Sequence, residues 1–430
     1  MRSSILQIAL AAVVAAGLLL PHVDARADFA LHDGDTVVFL GDSNTDHGEF
    51  ARIVETYSLL RFPERKIRFK NRGVGGDTAE GALARLESDV FREGANVVIV
   101  IFGANEIAWG WKPSEAAKRA YLAAVAEIVE RCVEHGVAAY VSTYFSLRGN
   151  PYLEEKGFLH LMGLEGIAVA ESAGGHGIDI GGRMFAAAKP IWDHNQENPD
   201  DAVELHLDRV HLGKLGHELA AFALLKELGA PSDVSSVSVN AADETAVATG
   251  ALVRNVSWNP GSGVLRFERM DRGLPLALNI LTWTNTRRWI PMDTALNGYR
   301  LAVTGLPEGS YDLKIDDQPL EPIASAELAQ GLDIHSRSSA RGRAYPGGPW
   351  RTESLAMKRL ADARQSVDQA RALLAFHLGA GARTTRLERE SKQVEQRITK
   401  LQRLLAEPAW YAVELKRRAA PVSSALKDPN

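Results

Sequence analysis

The chain has 430 residues, of which 46% are apolar and 24% charged, and it contains a single cysteine, Cys132. These fractions are ordinary for a globular protein and exclude collagen-like, low-complexity and disordered classes. One cysteine excludes an intramolecular disulfide and a cysteine-rich metal module. The net charge of −5 gives no reason to expect a nucleic-acid partner, although residues 340–430 carry 18 lysines and arginines against 9 acids. A basic C-terminal part therefore follows an acidic body.

The first 27 residues have the pattern of a secretory signal peptide. Arg2 precedes an apolar run over residues 5–20, and the small-residue triplet Ala-Arg-Ala follows at residues 25–27. The alternative is a retained membrane anchor, but the run is short for a span of about 20 residues. We expect cleavage after Ala27, no stable membrane insertion afterwards, and a secreted or periplasmic mature protein.

Residues 28–232 alternate short β-branched runs with longer helical patterns. Strands are predicted over residues 36–40, 67–70, 96–102, 137–143 and 177–180. Helices are predicted over residues 46–60, 79–92, 113–135 and 213–228. Continuous apolar strands that alternate with helices indicate a parallel sheet covered on both faces. We therefore predict a doubly wound α/β domain over this part of the chain.

Three further parts are predicted after this domain. Residues 233–334 have period-two runs and should form a β-rich module, with a hairpin between residues 299–303 and 311–315. By composition, residues 335–348 are a linker.

Residues 349–430 are predicted to be a helical tail, with helices reaching about residue 415. The second helix has an apolar stripe made of Leu387, Val394, Ile398, Leu401 and Leu405. We expect the basic tail to dock on the acidic body rather than bind a membrane surface or a polyanion. It should be dispensable for chemistry, and truncation after Gly347 should expose apolar surface.

The first segment that can carry chemistry is Gly-Asp-Ser-Asn at residues 41–44, between a predicted strand and a predicted helix. At such a junction a side chain is presented at the carboxyl edge of the sheet, where open α/β folds bind ligands. Ser43 is the candidate nucleophile. The alternative is that Asp42, Ser43 or Asn44 serves only as a helix N-cap.

Two further loops follow the second and third predicted strands. In residues 71–78, glycines such as Gly76 let backbone N–H groups approach an anion closely, or simply form a tight turn or a phosphate-binding loop. In residues 103–106, Asn105 ends the most apolar strand. Its amide is a good donor to an oxyanion, although an asparagine that satisfies a turn is also common.

The fourth segment is Asp-Arg-Val-His at residues 208–211, ahead of the last predicted α/β helix. A carboxylate three residues before an imidazole can hold it in the tautomer that accepts a proton from serine. Two other histidines, His47 and His217, are rival bases without a carboxylate at such a spacing. His211 is therefore the preferred base, with Asp208 as its partner.

The order Gly-Asp-Ser, Gly-Gly-Asp-Thr, Gly-x-Asn and Asp-x-x-His resembles the four sequence blocks of the SGNH (GDSL-type) hydrolases. The resemblance covers about residues 35–228 and implies a flavodoxin-like sheet and hydrolysis of ester bonds. The β-rich module and the helical tail look like C-terminal extensions of some exported bacterial members. Two residues depart from the family pattern, because Asn44 stands where leucine is usual and Glu106 where aspartate is usual.

The resemblance also implies a role for each matched residue. Ser43 matches the nucleophile, and Asp208 and His211 match the acid–base pair. The backbone N–H groups of Ser43 and Gly76 and the amide of Asn105 match the oxyanion-hole donors. This chemistry needs no metal and no cofactor.

The leading hypothesis is an exported serine esterase that removes a short acyl group, most simply acetyl, from a small-molecule or carbohydrate ester. Trp109 and Trp111 follow Asn105 closely and suit a sugar ring, although ordinary packing under a loop explains them equally well. The alternatives are a lipase or lysophospholipase-type acylhydrolase and a non-catalytic carbohydrate-binding protein. A nucleotide-binding flavodoxin-like protein would need a basic phosphate clamp, which the sequence lacks. The acyl group, the alcohol and the oligomeric state stay open.

Overall fold

The computed structural model describes residues 29–277, 288–316, 318–335, 338–339, 342–346, 351–378 and 381–419. The predicted signal peptide, with its cleavage site after Ala27, lies outside these residues. Within them, no helix combines the length and the apolar character that crossing a membrane requires.

A five-stranded parallel sheet forms the first part of the structure. Its strands are β1 (Thr36–Gly41), β2 (Arg68–Gly73), β3 (Val97–Ile101), β4 (Ala138–Ser142) and β5 (His176–Ile178). Its helices are α1 (Ser43–His47), α2 (Glu49–Arg61), α3 (Ala79–Leu86), α4 (Glu115–Glu134), α5 (Pro151–Glu154), α6 (Phe158–Ser172), α7 (Ile180–Glu197) and α8 (Lys214–Glu227). The strand order is β2-β1-β3-β4-β5, and every pairing is parallel. The predicted doubly wound α/β fold is confirmed.

Strand β1 contributes apolar side chains to the helix layers on both faces of this sheet. Val37 and Phe39 belong to the apolar cluster on one face, and Val38 and Leu40 to the cluster on the other. Alternate residues of a strand point to opposite faces, so an unbroken apolar strand builds two cores at once. Because β2 and β3 flank β1, the loops that follow these three strands lie side by side at the carboxyl edge.

The helices of this domain differ from the prediction in two ways. The helix expected over residues 46–60 is divided into α1 and α2 by Gly48, whose φ of 59° is left-handed. Helices α6 and α7 were not predicted. In α6 a Cβ on Gly166 would lie 2.8 Å from the hydroxyl oxygen of Tyr121, so the glycine that lowers helix propensity provides packing space for α4. In α7 the interior Pro190 likewise lowers the helix propensity of the sequence, so this helix was not predicted.

The second part contains the remaining elements. In chain order they are β6 (Asp233–Asn240), β7 (Thr245–Thr249), β8 (Ala251–Asn259), β9 (Val264–Asp271), α9 (Met292–Leu296), β10 (Gly298–Thr304), β11 (Ser310–Ile315), β12 (Gln318–Pro319), β13 (Ile323–Ala324), α10 (Ser325–Gln330), β14 (Leu332–Asp333), β15 (Ser338–Ser339), β16 (Gly342–Pro346), α11 (Arg351–Leu378), α12 (Ala382–Leu405) and β17 (Tyr411–Arg417). One sheet has the order β14-β10-β6-β7, and another has the order β12-β11-β17-β9-β8 with β13 also on β11. Strands β15 and β16, inside the predicted linker, pair with each other.

The predicted hairpin between residues 299–303 and 311–315 is wrong. Strand β10 lies in one sheet and β11 in the other, although the inward side chains of both belong to a single apolar cluster. Leu301 and Leu313 are both fully buried in it. The two strands thus form opposite layers of a β-sandwich, and residues 305–309 cross from one sheet to the other.

The expectation of a helix up to about residue 415 is also wrong, because residues 411–417 form β17. Tyr411, Val413 and Leu415 point inward while Glu414 and Lys416 alternate with them, which is the period of a strand. Strand β17 pairs on one side with β11 and on the other with β9. The end of the described chain is therefore an interior strand of the second sheet.

The apolar stripe expected on α12 is only partly buried. Ile398 is buried, but Val394 is 40% exposed and Leu401 is 49% exposed. The helix instead buries a more polar face that includes Gln402, whose amide donates a 2.8 Å hydrogen bond to the buried carboxylate of Glu55 in α2. The surface beneath the helix is charged, so the face that docks on it is polar.

Candidate active site

Ser43 and His211 meet at the carboxyl edge of the parallel sheet. Ser43 begins α1 directly after β1, and His211 lies in the loop that precedes α8. The Nε2 atom of His211 is 3.0 Å from Ser43 Oγ, and its Nδ1 atom is 2.7 Å from Oδ2 of Asp208. These distances form one continuous chain of hydrogen bonds from carboxylate to imidazole to hydroxyl.

The Asp208 carboxylate is fixed by the backbone as well as by the imidazole. Its Oδ1 atom accepts the backbone N–H groups of His211 and Val210, both at 2.7 Å. These bonds, with the one to the His211 ring, hold the pKa of Asp208 well below its usual range. The group is therefore a stable anion, suited to fixing the tautomer and the orientation of an imidazole.

The two rival histidines are engaged with each other. His47 Nδ1 lies 2.6 Å from His217 Nε2. His217 is fully buried, and burial lowers its pKa to about 3. Burial also lowers the pKa of His47. The structure brings His211, and not this pair, to the Ser43 hydroxyl.

Asn105 and Gly76 lie on the two sides of the Ser43 loop. The Asn105 amide donates 2.8 Å to the carbonyl of Asp77 and lies 3.4 Å from Asp42 Oδ2, which connects the loops after β1, β2 and β3. Gly76 is exposed with a left-handed φ of 78°. Among the described residues, no acceptor is recorded for the backbone N–H of Ser43 or of Gly76. Both groups are thus available to an anion.

Asn44, one of the two departures from the family pattern, joins the serine loop to the histidine loop. Its side chain is fully buried and donates to the Tyr144 hydroxyl at 2.9 Å and to the Val210 carbonyl at 3.1 Å. Its Oδ1 atom accepts the backbone N–H of Leu212 at 3.0 Å. The sequence analysis did not assign this role to Asn44. The signal that the sequence offered was an asparagine directly after the candidate nucleophile.

Glu106, the second departure, supports the loop that carries Asn105. Its carboxylate accepts the backbone N–H of Gly103 at 3.0 Å and that of Ala79 at 2.9 Å, while burial raises its pKa. Asp42 is a second buried acid beside the serine, and burial raises its pKa to about 7 against the effect of its hydrogen bond to Tyr144. Neither acid was assigned a function from the sequence.

A cavity of about 290 Å³ opens beside the histidine loop. Its wall includes apolar and aromatic side chains, among them Tyr144, Phe145, Leu147, Phe158, Phe185 and Val210. Trp109 and Trp111 stand at this cavity, 47% and 64% exposed, so packing under a loop does not explain them. Trp109 Nε1 donates 3.0 Å to Asn105 Oδ1, and the Arg209 guanidinium lies 4.6 Å above the Trp111 ring. The cavity therefore lies next to the histidine loop, of which Arg209 and Val210 line it, and has an aromatic wall.

A parallel α/β sheet with a Ser–His–Asp chain at its carboxyl edge is an arrangement of hydrolases that use an activated serine. Within the described part of the chain, no group of three or more His, Cys, Asp or Glu side chains is placed to hold a metal ion. Residues 39–219, which make up most of this domain, match the model of the GDSL-like Lipase/Acylhydrolase family. The protein is a hydrolase of ester bonds.

Two sequence relatives and one solved structure give the wider comparison. The chain is 26% identical over 219 residues to an acetylxylan esterase of Geobacillus stearothermophilus, covering 46% of this chain and 94% of the relative. It is 27% identical over 135 residues to an uncharacterized lipoprotein, YqeF, of Bacillus subtilis (strain 168), covering 30% of this chain and 53% of the relative. The structure of a gut microbial diltiazem-metabolizing enzyme, BT4096, superposes with a TM-score of 0.73 at 21% identity. That superposition covers 90% of this chain and 98% of the other, so the two proteins share a fold over almost their full lengths.

Proposed function

We propose that the protein is an exported serine esterase in which Ser43 is the nucleophile, His211 the general base and Asp208 its orienting partner. The observation that carries this proposal is the hydrogen-bonded chain from Asp208 through His211 to the Ser43 hydroxyl. His211 Nε2 takes the hydroxyl proton as Ser43 Oγ attacks the ester carbonyl. The same imidazole then returns the proton to the departing alcohol, and a water molecule hydrolyses the acyl-enzyme by the reverse roles.

The tetrahedral intermediate has an oxyanion that needs hydrogen-bond donors. We assign these donors to the backbone N–H groups of Ser43 and Gly76 and to the side-chain amide of Asn105. The two backbone groups have no recorded acceptor among the described residues, and Asp77 and Asp42 hold the Asn105 amide between the neighbouring loops. Each donor of this kind contributes on the order of 10²–10³ to the rate.

The substrate we propose is a short-chain ester, most simply an acetyl ester, on a carbohydrate. The relative whose length the alignment covers almost completely is an acetylxylan esterase. The exposed rings of Trp109 and Trp111 add a rigid apolar surface of the kind that packs on the C–H face of a sugar. Export is proposed from the signal-peptide pattern of residues 1–27, and the likeness to a lipoprotein supports it.

The apolar lining of the cavity favours a second candidate, an acylhydrolase for larger acyl groups. A volume of about 290 Å³ with aromatic walls has room for more than an acetyl group. The two candidates differ in which part of the ester the tryptophans contact. A carbohydrate esterase places the sugar alcohol against them, whereas an acylhydrolase for larger acyl groups places the acyl chain in the cavity.

The catalytic assignment is tested by labelling with a fluorophosphonate, which reacts with an activated serine. We expect the wild-type protein to be labelled at Ser43, and Ser43→Ala to lose both the label and the esterase activity without a change in melting temperature. Ser88→Ala, at an exposed serine whose hydroxyl donates to the Arg85 carbonyl, is the control and should be labelled as wild type. A Ser43→Ala protein that still carries the label and the activity would show that the nucleophile lies elsewhere.

The substrate class is tested with Trp109→Ala. For an acetylated xylooligosaccharide we expect KM to rise well above the change seen with p-nitrophenyl acetate, because the small ester does not need the aromatic surface. Equal losses on both esters would indicate damage to Asn105, whose amide oxygen Trp109 holds. A preference of the wild-type protein for long-chain over acetyl esters would favour the second candidate.

A further inference from the structure

Helix α1, which begins with Ser43, is too short to be stable alone. It has five residues, Ser43–His47, and ends at the left-handed Gly48. The last carbonyls of a helix have no partner inside the helix, and a single turn gains almost nothing from cooperativity. The buried Asn44 holds the first residues of α1, and the position of Ser43 also depends on what binds the C-terminal end of the helix.

Three carbonyls at that end accept hydrogen bonds from side chains outside α1. Asn71, in β2, donates to the Thr45 carbonyl at 2.5 Å. The Asp46 carbonyl accepts two side-chain amides from the C-terminal helix α11, those of Gln365 at 3.3 Å and Gln369 at 3.2 Å. A helix more than 300 residues further along the chain thus closes the end of the nucleophile helix.

The third carbonyl, that of His47, is bound through a relay. Arg52 Nη1 donates to it at 2.7 Å, while Nε of the same guanidinium donates at 2.7 Å to the carboxylate of Asp362 in α11. Lys358, also in α11, bridges Asp362 and Glu49 at 3.3 Å each. Helix α11 therefore both binds α1 directly and orients the arginine that binds it.

Helix α11 is itself firmly anchored beside α2. Arg364 forms an ion pair with the fully buried carboxylate of Glu55, which also accepts the amide of Gln402 from α12. Because a buried charge is costly to leave without its partners, this anchor fixes α11 relative to α2. The donors of Gln365 and Gln369 are thus presented from a fixed support.

We propose that α11 is a positioning element of the active site, with Gln365 and Gln369 as positioning residues that hold α1, and hence Ser43 Oγ, against His211. The inference rests on the proposed role of Ser43. It replaces the expectation that the helical tail is dispensable for chemistry. A nucleophile displaced by a fraction of an ångström loses alignment with its base, and a misplacement of about 1 Å can cost about 10² in rate.

The test is the double variant Gln365→Leu/Gln369→Leu, which removes the amide donors and leaves aliphatic side chains in their place. We expect kcat for p-nitrophenyl acetate to fall 5- to 20-fold, with KM within twofold of wild type. The second-order rate of fluorophosphonate labelling at Ser43 should fall by the same factor. The labelling rate reports the reactivity of the serine and not the binding of substrate.

Gln393→Leu/Gln396→Leu is the matched control, because it makes the same substitutions at two exposed glutamines of the neighbouring helix α12. It should leave the labelling rate of Ser43 and kcat at their wild-type values. An unchanged labelling rate in the Gln365→Leu/Gln369→Leu variant, or an equal loss in the control, would overturn the inference while leaving Ser43 as the nucleophile. Absence of labelling at Ser43 in the wild-type protein would instead overturn the proposed function, and this inference with it.

Discussion

Asp208 illustrates how much of a catalytic assignment depends on one side chain's partners. Its carboxylate accepts hydrogen bonds from Val210 and His211 of the histidine loop, and the side chains of Asp208 and His211 are 57% and 42% exposed. It therefore adds little to the folded core. What it provides is a fixed negative charge, because backbone N–H groups hold its pKa well below the usual range. Protonation of Asp208 should thus not be the cause of a loss of activity on mild acidification.

We predict that Asp208→Asn lowers kcat by on the order of 10³–10⁴ with little change in melting temperature. The amide can donate to His211 Nδ1 and would then stabilise the tautomer whose Nε2 carries a proton and cannot accept one from Ser43. Steady-state rates with p-nitrophenyl acetate and a thermal melt test this. Asp200→Asn, at an exposed aspartate of the same region, is the control. A Asp208→Asn variant with more than a tenth of the wild-type rate would remove Asp208 from the triad.

The buried His217 couples stability to pH. Burial lowers its pKa in the folded protein to about 3, below the ordinary histidine pKa of about 6.5, so the unfolded chain binds the proton more readily. The stabilisation from this neutral histidine is complete above about pH 6.5 and is lost as the pH falls through 6.5 to 3. Each such group changes the free energy of unfolding by up to about 1.4 kcal/mol per pH unit inside its window. Acid should therefore destabilise this protein in part through protonation of His217 on unfolding.

We predict that His217→Gln reduces the slope of unfolding free energy against pH between about pH 3.5 and 6. Chemical denaturation at several pH values measures this slope directly, whatever the stability of the variant at neutral pH. His176→Gln, at an exposed histidine, is the control and should keep the wild-type slope. Parallel curves for wild type and His217→Gln would mean that His217 takes up its proton in the folded state.

For the site, the sequence was informative where partners are close along the chain. The three-residue spacing of Asp208 and His211 favours this histidine over His47 and His217, and the structure brings the pair to Ser43. The sequence could not disclose the bridging role of Asn44, because its partners Tyr144 and Leu212 lie 100 and 168 residues away. A polar side chain that bridges distant loops leaves no local pattern.

At the scale of elements, the contact between α2 and α11 is organised around one buried carboxylate. Glu55 is fully buried, and burial raises its pKa while Arg364 opposes that effect. Removing the cation leaves the acid without its main compensating charge. Breaking a buried pair in this way typically costs about 3–5 kcal/mol, whereas replacing both members by apolar groups is often close to neutral.

We predict that Arg364→Ala lowers the free energy of unfolding by about 3–5 kcal/mol and that Glu55→Gln/Arg364→Ala recovers most of this loss. Chemical denaturation of the four proteins of the double-mutant cycle gives the coupling energy. Arg386→Ala, at an exposed arginine of α12, is the control and should remain within about 0.5 kcal/mol of wild type. If the double variant is no more stable than Arg364→Ala, the two side chains do not act as a pair.

The sequence predicted the strands of the parallel sheet correctly. It failed where the same local pattern is compatible with two different arrangements of the strands. A buried apolar run such as that of β3 predicts a strand whatever its neighbours are. The alternating residues of β10 and β11 predict two amphipathic strands equally well. A short turn between two such strands fits two arrangements, because they can pair in one sheet or face each other from the two sheets of a sandwich. The strand pattern of β17 was hidden because it follows directly on a long helix.

At the scale of the whole molecule, the C-terminal chain joins the two parts together. After β16 it returns to the parallel domain as α11 and α12, then enters the second sheet as β17. The ion pairs across the helical interface run in both directions, since Lys70 of the domain pairs with Glu395 of α12 while Arg364 of α11 pairs with Glu55. The contact between the C-terminal helices and the parallel domain is therefore not explained by the excess of basic residues in the tail. The superposition on BT4096 covers 90% of the chain, so that protein shares the fold of both parts.

Truncation after Gly347 tests this view of the molecule, because it deletes α11, α12 and β17 together. Removal of β17 separates β11 from β9 and withdraws three inward side chains, Tyr411, Val413 and Leu415, from the core of the sandwich. Two unpaired interior strand edges result, and such edges promote aggregation. We predict that the truncated protein is largely insoluble, or binds a hydrophobic dye strongly and lacks a cooperative thermal transition. Truncation after Ala419 keeps every described element and should melt as the full chain does. A Gly347 truncation that is soluble, melts cooperatively at the wild-type temperature and is labelled at Ser43 at the wild-type rate would show that the C-terminal chain supports neither the sandwich nor the active site.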